Sequence, residues 1–600
     1  MSSANNRLPI LLFLFLWPVV ATAQGIYDHW YFGNGAGLHF TADGAVADTS
    51  GKLYAETVSI SISDNDGNLL FYSDGSRVYN AKHQVMEGAH NMGGDPGYYA
   101  LAAVPENQAT GVYRIFYCKN KTLFHAQIEP GWNEGNGRVS IIDSIAAYHI
   151  LPKITAVRHC NREDYWIVAP ALDFSGFYAF RFGPGGFSSV PVVSFVSILS
   201  EVAPYGTLAA SPLGNYIAMT LKSGNYALYL FDFDNRAGMV SEPRLFRFNY
   251  NPFGIGACFS PDGRFLYFTT GGEQYRLWQM DLLAPEPEEM AQSLTEIAGG
   301  NHYALAMAPD GKIYIAKANR NYLSTISNPC LPGKACGYTE KAVTLNGRLC
   351  KFGLPDCLSS YFAKPAFQSK GWCTGDSTHF RVNFPGVYDS IRWEIQNPGF
   401  HAISGQPAWS LRLPDTGSYR VTLCLFQCGF VDTVVEFRTQ YAPPEVYFAE
   451  DTLMMTSPPL SLGPEGNNYQ FIIWNTGDIT HSIFVEEPGT YWFQASNASC
   501  LTSDSIVVVN NLSGGVFFPN AFRPDKDGRN DCFRPVTARV PNGRLLIYNR
   551  FGQLVFQTNA LANGWNGMHN GRACQSGIYA WLMEDFDTGT VYKGMIYLLP

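Results

Sequence analysis

Alternating apolar and polar positions recur along the first 365 residues, and each alternating run follows a tight turn. The clearest runs are SPLGNYIAMTL, SPDGRFLYFTT and APDGKIYIAKA. Alternation with a period of two residues predicts half-buried β-strands, and the preceding turns predict hairpins. The turn glycines Gly214, Gly263 and Gly311 are 49 and 48 residues apart. Weaker copies of the pattern lie around Gly67, Gly111 and Asp164.

A second apolar strand follows each run, for example LYLFDFD after the first and LWQMDLL after the second. Six copies of strand, turn and strand at a period of roughly 50 residues predict a β-propeller. The S-P-D-G element resembles the turn of WD40-like and TolB-type propellers. The run WYFGNGAGLHF is expected to complete the last blade or to form part of a seventh. We therefore predict an all-β chain with a propeller of six to seven blades over residues 24–366.

Two shorter β segments follow the propeller. Residues 367–441 contain Cys373, Trp393 and the element PDTGSYRV, in which Tyr419 is a candidate corner tyrosine. Residues 442–511 contain Trp474 and the similar element EEPGTYWF. This combination resembles PKD-like and immunoglobulin-like sandwich domains. The resemblance implies two spacer or stalk modules and gives no support for catalysis.

Residues 1–23 have the pattern of a secretory signal peptide. Arg7 precedes the apolar run LPILLFLFLWPVVA, and Ala21-Thr22-Ala23 provides a small-residue cleavage site. The run is shorter than the roughly 20 residues that a membrane-spanning helix needs. We therefore expect export across the inner membrane, to the cell surface or the extracellular space.

Composition and motifs narrow the possible functions. The formal net charge is −9 with only 15% charged residues, and no cluster of Lys and Arg could replace the counterions of nucleic acid. We find no P-loop, H-E-x-x-H or G-x-S-x-G motif, so we expect no enzymatic activity and no cofactor.

Aromatic residues precede several of the repeat turns, on segments expected to lie nearest the channel of the propeller. Such residues could stack on sugars or on peptide side chains. The alternative is that they pack between blades. The candidate ligand-binding residues are Tyr98, Tyr99, Tyr205, Phe253, His302 and Tyr303.

Thirteen cysteines fit an oxidising destination. Cys330 with Cys336 and Cys350 with Cys357 are close in sequence and are expected to form disulfides. Cys373 could pair with either Cys424 or Cys428, and the sequence does not choose between them. Cys532 and Cys574 are expected to join two loops. The odd count leaves at least one free thiol, for which Cys500 is the candidate.

The last 85 residues contain FFPNAFRPDKDGRNDCF, LLIYNRFGQLVF, GWNGMHNGRACQSGIYAW and VYKGMIYLL in this order. These four motifs resemble the type B, or gliding-motility-associated, C-terminal sorting domain of the type IX secretion system, placed at residues 512–600. The resemblance implies a β-sandwich that is recognised by the outer-membrane translocon and sorting machinery. The matching residues are Pro519, Asn520, Phe522, Pro524, Asp527, Gly528, Asn530, Asp531, Ile547, Tyr548, Asn549, Arg550, Gly552, Trp565, Gly567, Gly577 and Tyr579.

The acidic loop of the first motif is also a possible calcium site. Asp525, Asp527 and Asp531 could supply the oxygen ligands that calcium prefers. The spacing departs from an EF-hand, and the same carboxylates could instead cap the turn through hydrogen bonds to backbone N–H groups.

These observations favour an exported binding or adhesion protein whose propeller carries the ligand site. One alternative is a secreted propeller hydrolase or lyase acting on polysaccharide or peptide. Another is a purely structural surface protein. An enzyme should show acidic, His or Tyr residues that converge with shifted pKa values, whereas a binder should show an exposed aromatic patch.

Overall fold

A computed structural model describes residues 25–94, 99–107, 111–198, 206–223, 226–248, 252–272, 274–284, 286–455, 458–510, 516–527, 529–537 and 540–600. The predicted signal peptide lies outside these residues. The chain is nearly all β, with 52% strand and 4% helix, which confirms the predicted fold class. The two α-helices in the described part are Trp132–Gly135 and Pro287–Gln292. Neither of them has the length or apolar character needed to cross a bilayer.

Seven small antiparallel sheets follow one another in the first 344 residues. We number them as blades 1 to 7. Blade 1 contains His29–Phe32, Ala36–Thr41 and Gly44–Ala47, and blade 2 contains Ile60–Ser63, Leu69–Ser73 and Val78–Asn80. Blade 3 contains Leu101–Asn107, Val112–Lys119, Thr122–Glu129 and Arg138–Tyr148. Blade 4 contains Thr155–Arg158, Tyr165–Pro170, Gly176–Gly183, Gly186–Phe187 and Val192–Phe195.

The remaining three blades have four strands each. Blade 5 contains Leu208–Ala210, Tyr216–Ser223, Tyr226–Asp234 and Met239–Arg247. Blade 6 contains Pro252–Phe259, Phe265–Gly272, Arg276–Asp281 and Thr295–Gly299. Blade 7 contains Leu305–Met307, Ile313–Ile315, Tyr322–Ile326 and Tyr338–Thr344. Neighbouring blades are in contact around the ring, including the seventh with the first. The run WYFGNGAGLHF thus forms a blade of its own.

The repeated turn builds the same local structure in successive blades. In blade 6 the Ser260 hydroxyl accepts the backbone N–H of Phe265 at 2.8 Å and donates to Asp262 at 2.5 Å. Gly263 follows with a φ of 73°, which a residue with a side chain rarely adopts.

These turns all lie on one face of the ring, which we call the turn face. In blades 2 to 7 the chain enters the first strand from the opposite face, which we call the mouth. Blade 1 runs the other way: Asp28, just before its first strand, lies against Gly67 of a repeat turn, so the first hairpin turn of blade 1, with Asn34, is at the mouth.

The ring is closed by residues 349–358, which we call the closing segment. Asn34 donates a backbone hydrogen bond to Leu349 at 2.9 Å, and Asp356 donates one to Ser59 at 2.7 Å. The segment therefore crosses blades 1 and 2 from mouth to turn face, on the side of the channel. Its approach is so close that a Cβ on Gly353 would lie 1.0 Å from the carbonyl oxygen of Thr57.

Three smaller β domains follow the propeller. In module 1, Phe367–Lys370, Thr378–Val382 and Ala408–Leu411 face a sheet of Phe400–Ser404, Ser390–Asn397, Gly417–Gln427 and Phe430–Gln440. In module 2, Thr452–Met455, Leu501–Asn510, Gly489–Ser496 and Phe471–Trp474 face Leu460–Leu462 and Ile483–Val485. In the third domain, the main sheet has the order Ala521–Phe522, Val591–Leu598, Gly577–Asp585, Gly543–Tyr548 and Leu554–Thr558, beside a hairpin of Met568–His569 and Arg572–Ala573.

The three domains share one internal feature, a tyrosine corner. The hydroxyl group of Tyr419 donates to the carbonyl oxygen of Asp415 at 3.0 Å. Tyr491 and Tyr579 make the same bond to the residue four positions earlier, at 2.9 and 2.7 Å. Each tyrosine follows a glycine two residues before it, in G-S-Y, G-T-Y and G-I-Y. The sequence pattern predicted this corner in module 1, and it recurs in the other two domains.

Two disulfides lie between domains, and this corrects the predicted pairings of Cys373. Cys160 of blade 4 bonds to Cys428 of module 1, and Cys373 bonds to Cys500 of module 2. Cys373 forms a backbone β-bridge with Tyr441, next to one end of strand Gly417–Gln427, whereas Cys428 lies beyond the other end of that strand. An eleven-residue strand spans roughly 36 Å, so Cys373 and Cys428 cannot meet. Cys500 is therefore not the free thiol.

The structure also leaves the other predicted pairs unbonded. Cys350 and Cys357 lie seven positions apart on the extended closing segment, far beyond the roughly 7 Å between Cα atoms that a disulfide allows. The thiol of Cys336 faces Tyr267, whereas that of Cys330 faces Asp262. Cys424, Cys532 and Cys574 are likewise free thiols in this structure.

Candidate functional sites

Five aromatic side chains meet at the mouth of the propeller. We call this set the mouth cluster, and its members are Tyr99, Phe253, Tyr275, Tyr303 and Phe352. Successive ring centroids are 6.2 Å apart for Phe253 and Tyr275, 5.7 Å for Tyr275 and Tyr303, and 5.1 Å for Tyr303 and Phe352. The hydroxyl of Tyr99 donates to the carbonyl oxygen of Phe352 at 3.3 Å.

The mouth cluster contains three of the residues that the sequence singled out. Tyr99, Phe253 and Tyr303 are all partly exposed. Tyr98 and Tyr205 lie outside the described residues. Tyr275 and Phe352 were missed, because one lies in a hairpin on the mouth side of blade 6 and the other in the closing segment. A search for aromatic residues in every mouth-side loop could have found Tyr275.

His302 does not belong to the exposed cluster. It is fully buried, and its Nε2 lies 2.8 Å from the hydroxyl of Tyr338. Burial, with the nearby Lys317 charge, lowers the pKa of His302 to about 4. The side chain is therefore neutral and has a structural role in blade 7, where it contacts the last strand.

A small cavity lies in the channel below the mouth. A cavity of about 60 Å³ is lined by the first strands of blades 4 to 7 and by Pro355, Asp356 and Cys357 of the closing segment. Burial raises the pKa of Asp356 to about 7. Small-molecule sites commonly measure roughly 300–1,000 Å³, so this cavity has room for a few water molecules but not for a substrate.

The acidic loop brings its three carboxylates together. One oxygen from each of Asp525, Asp527 and Asp531 lies within 4.8 Å of the others. The same carboxylates also accept backbone hydrogen bonds: Asp531 from Lys526 at 2.5 Å, and Asp527 from Arg529 at 2.8 Å. These bonds are the turn capping that the sequence offered as an alternative. Calcium binding stays a prediction.

The loop also contacts module 2. Asn530 donates its backbone N–H to the carboxylate of Asp451. The guanidinium of Arg529 lies 3.9 Å from the centroid of the Tyr447 ring, and 4.0 Å from the carboxylate of Asp504. The acidic loop is thus the contact surface between module 2 and the third domain.

The remaining sorting-motif residues have two different surroundings. Trp565 is fully buried and packs edge-on against Tyr579 with centroids 4.8 Å apart. By contrast, Asn549 and Arg550 lie on an exposed turn beside a pocket of about 640 Å³. Gly528 lies outside the described residues.

The comparison with known families concerns this third domain. Residues 516–598 match the family described as the CHU_C Type IX secretion signal domain. The chain carries a type IX secretion signal domain. We call residues 516–600 the signal domain from here on. Its presence implies export to the cell surface or the extracellular space, and interaction with the type IX secretion machinery.

Solved structures resemble larger parts of the chain at low identity. A candidate 6-phosphogluconolactonase from Bacteroides uniformis aligns over 55% of this chain and 98% of its own, with 14% identity and a TM-score of 0.36. PorZ from Porphyromonas gingivalis, described as a surface component of the type IX secretion system, aligns over 96% of this chain and 81% of its own, with 11% identity and a TM-score of 0.21. No curated protein sequence matches the chain.

Proposed function

We propose that the protein is a surface or secreted binding protein whose propeller holds its ligand at the mouth cluster. The observation that carries this proposal is the continuous row of partly exposed rings from Phe253 to Phe352, with Tyr99 hydrogen-bonded at its end. Aromatic faces exposed in a row are suited to stacking on sugar rings or on apolar peptide side chains. The signal domain supplies the route by which this surface reaches the outside of the cell.

The channel gives no comparable support to an enzyme. Asp356 has the raised pKa that a general acid or base would need. However, it lines a cavity of about 60 Å³, and it lies nearer the turn face than Phe352, the residue of the closing segment that belongs to the mouth cluster. A substrate held at the mouth would not reach this carboxyl group.

The test is a glycan array and a surface-protein overlay with the purified secreted chain. Phe253→Ala and Tyr275→Ala should each weaken binding at least ten-fold. Phe195→Ala is the matched control, since Phe195 is 85% exposed on the outer strand of blade 4. Equal binding by all three variants would place the ligand elsewhere. Turnover of an arrayed glycan by the wild-type protein would favour the enzyme instead.

A further inference from the structure

The 640 Å³ pocket of the signal domain is built by two neighbouring turns. In the first, the side-chain oxygen of Asn549 accepts the backbone N–H groups of Phe551 at 3.0 Å and Gln553 at 3.1 Å. Gly552 completes this turn with a φ of 77°. The geometry directs Arg550 and Phe551 outward, and Phe551 is 80% exposed.

The second turn presents another arginine to the same pocket. Asn570 and Gly571 both have positive φ, at 50° and 76°, which is the geometry of a type I′ hairpin. This hairpin places Arg572 after the turn, and His569 before it bonds to the carbonyl oxygen of Val555 at 2.7 Å. Both turns are therefore fixed by local hydrogen bonds, and their arginines remain exposed.

The pocket is cationic in an acidic protein. Residues 516–600 contain nine Lys and Arg against six Asp and Glu, whereas the whole chain has 41 against 50. None of the acidic residues lines the pocket, because they lie at 525–531 and 584–587. In the described part of the chain, neither Arg550 nor Arg572 has a carboxylate within ion-pairing distance. Both guanidinium groups are available to an external anion.

An apolar rim flanks the two arginines. Phe551 stands on one side, with the Arg550 guanidinium 4.9 Å from its ring centroid, and Ile578 is 57% exposed on the other side. Arginine together with exposed aromatic side chains is the composition of protein-interface hot spots. Arginine also forms paired hydrogen bonds to carboxylates. A polypeptide that carries carboxylates next to apolar side chains fits both features.

We propose that this pocket is the site at which an acidic polypeptide segment of the secretion machinery recognises the signal domain. Arg550 and Arg572 bind carboxylates of that segment, and Phe551 packs against an apolar side chain beside them. This explains why Asn549 and Arg550 belong to the sorting motif although neither contributes to the hydrophobic core. The inference rests on the type IX export route.

The test measures export of the full-length chain in a type IX-secreting host. Arg550→Glu and Arg572→Glu should each reduce the exported fraction at least ten-fold and leave the chain in the periplasm. Lys593→Glu is the matched control, because it makes the same charge change on the exposed outer side of strand Val591–Leu598, away from the pocket. Arg550→Lys, which keeps the charge but not the paired donors, should give an intermediate fraction.

A binding measurement on the purified full chain completes the test. Labelled hexaglutamate should bind, hexaglutamine should not, and Arg550→Glu should weaken hexaglutamate binding at least ten-fold. The proposal would be overturned if both arginine variants were exported at the wild-type level, or if Lys593→Glu reduced export as much as they do. Binding to phosphatidylglycerol vesicles but not to hexaglutamate would overturn it in favour of a membrane surface. Normal export after deletion of residues 516–600 would instead show that the export route itself is wrong.

Discussion

The junctions on the two sides of the modules are held in different ways. Blade 4 and module 1 are joined by Cys160–Cys428, and an ion pair between Arg162 and Asp432 lies beside the bond at 2.6 Å. Cys373–Cys500 then joins module 1 to module 2. The contacts from module 2 to the signal domain include a hydrogen bond from Asn530, the packing of Arg529 on Tyr447 and its ion pair with Asp504, with no covalent cross-link among the described residues.

The propeller and the two modules are thus linked to one another by disulfides, whereas the signal domain makes only noncovalent contacts with module 2. Disulfides keep domain orientation independent of weak surface contacts, whereas exposed polar contacts contribute little and are sensitive to salt. We therefore expect the propeller and the two modules to behave as one body, and the signal domain to unfold or separate independently.

Removing a large side chain from the signal domain gives the strongest test of this independence. Trp565→Ala should destabilise the signal domain by about 3–5 kcal/mol, because it leaves a cavity among Phe522, Phe533 and Tyr579. Calorimetry of the full chain should show its transition shifted and the propeller transition unchanged. Phe586→Ala, at a side chain that is 53% exposed, should shift neither. A shift of both transitions by Trp565→Ala would mean that the junction couples the domains.

The junction between blade 4 and module 1 should be weakened by removing its disulfide. Cys160→Ser with Cys428→Ser should lower the stability of the propeller and module 1 by about 2–5 kcal/mol, since the cross-link no longer restricts the unfolded chain. The midpoint of unfolding in denaturant measures this change. Cys424→Ser, which removes a free thiol on the same strand of module 1, is the control. Equal midpoints for the double variant and the control would contradict the expectation that the propeller and the two modules behave as one body.

A pH titration isolates the propeller from the other domains. The pKa of Asp356 is about 7 in the folded protein, against an ordinary value of 3.8 for an aspartate, so the folded state retains its proton as pH rises. The stability due to this proton is present below pH 4 and is lost between pH 4 and 7, by at most about 1.4 kcal/mol per pH unit. Asp356→Asn should remove this loss. Comparing the variant with wild type cancels the opposite contributions of His29 and His302, whose pKa values are lowered. A pH-independent difference between the two proteins would contradict this account.

The docked junction should give the smallest effect. Arg529→Ala removes the stacking on Tyr447 and should cost about 0.5–1 kcal/mol. The unfolding transition of the signal domain should move slightly, and less in 1 M salt than in 0.1 M salt. Arg412→Ala, on the exposed surface of module 1, is the control and should move nothing. A loss of several kcal/mol would place this junction in the same class as the covalent one.

Local patterns in the sequence predicted the elements well. The S-P-D-G turns, the tryptophan cores of the three smaller domains and the corner at Tyr419 each depend on residues close together in the chain. The number of blades depended on a long-range fact, namely that blade 1 has three strands and is covered by the closing segment. This contact joins residues that are far apart in the sequence, so the spacing of local motifs cannot reveal it.

The same distinction explains the cysteine and site predictions. Pairing close neighbours such as Cys350 and Cys357 assumed a compact loop, but the chain there is extended. The true partners are 268 and 127 residues apart, and only the arrangement of domains brings them together. In the mouth cluster, Phe253 and Tyr303 were recognisable because they precede repeat turns, whereas Phe352 enters the site only through ring closure.

Ring closure also has a kinetic consequence. The N–H of Leu358 donates to the hydroxyl of Tyr27 at 3.0 Å, across 331 residues of sequence. Contacts at such separation are made late in folding because the chain entropy lost on closing the loop is large. Each blade can form from local hairpins as the chain becomes available, but blade 1 stays uncovered on its channel side until residue 358 arrives. We therefore expect the slowest step in refolding of the propeller to be the seating of the closing segment, with the mouth cluster completed in that same step.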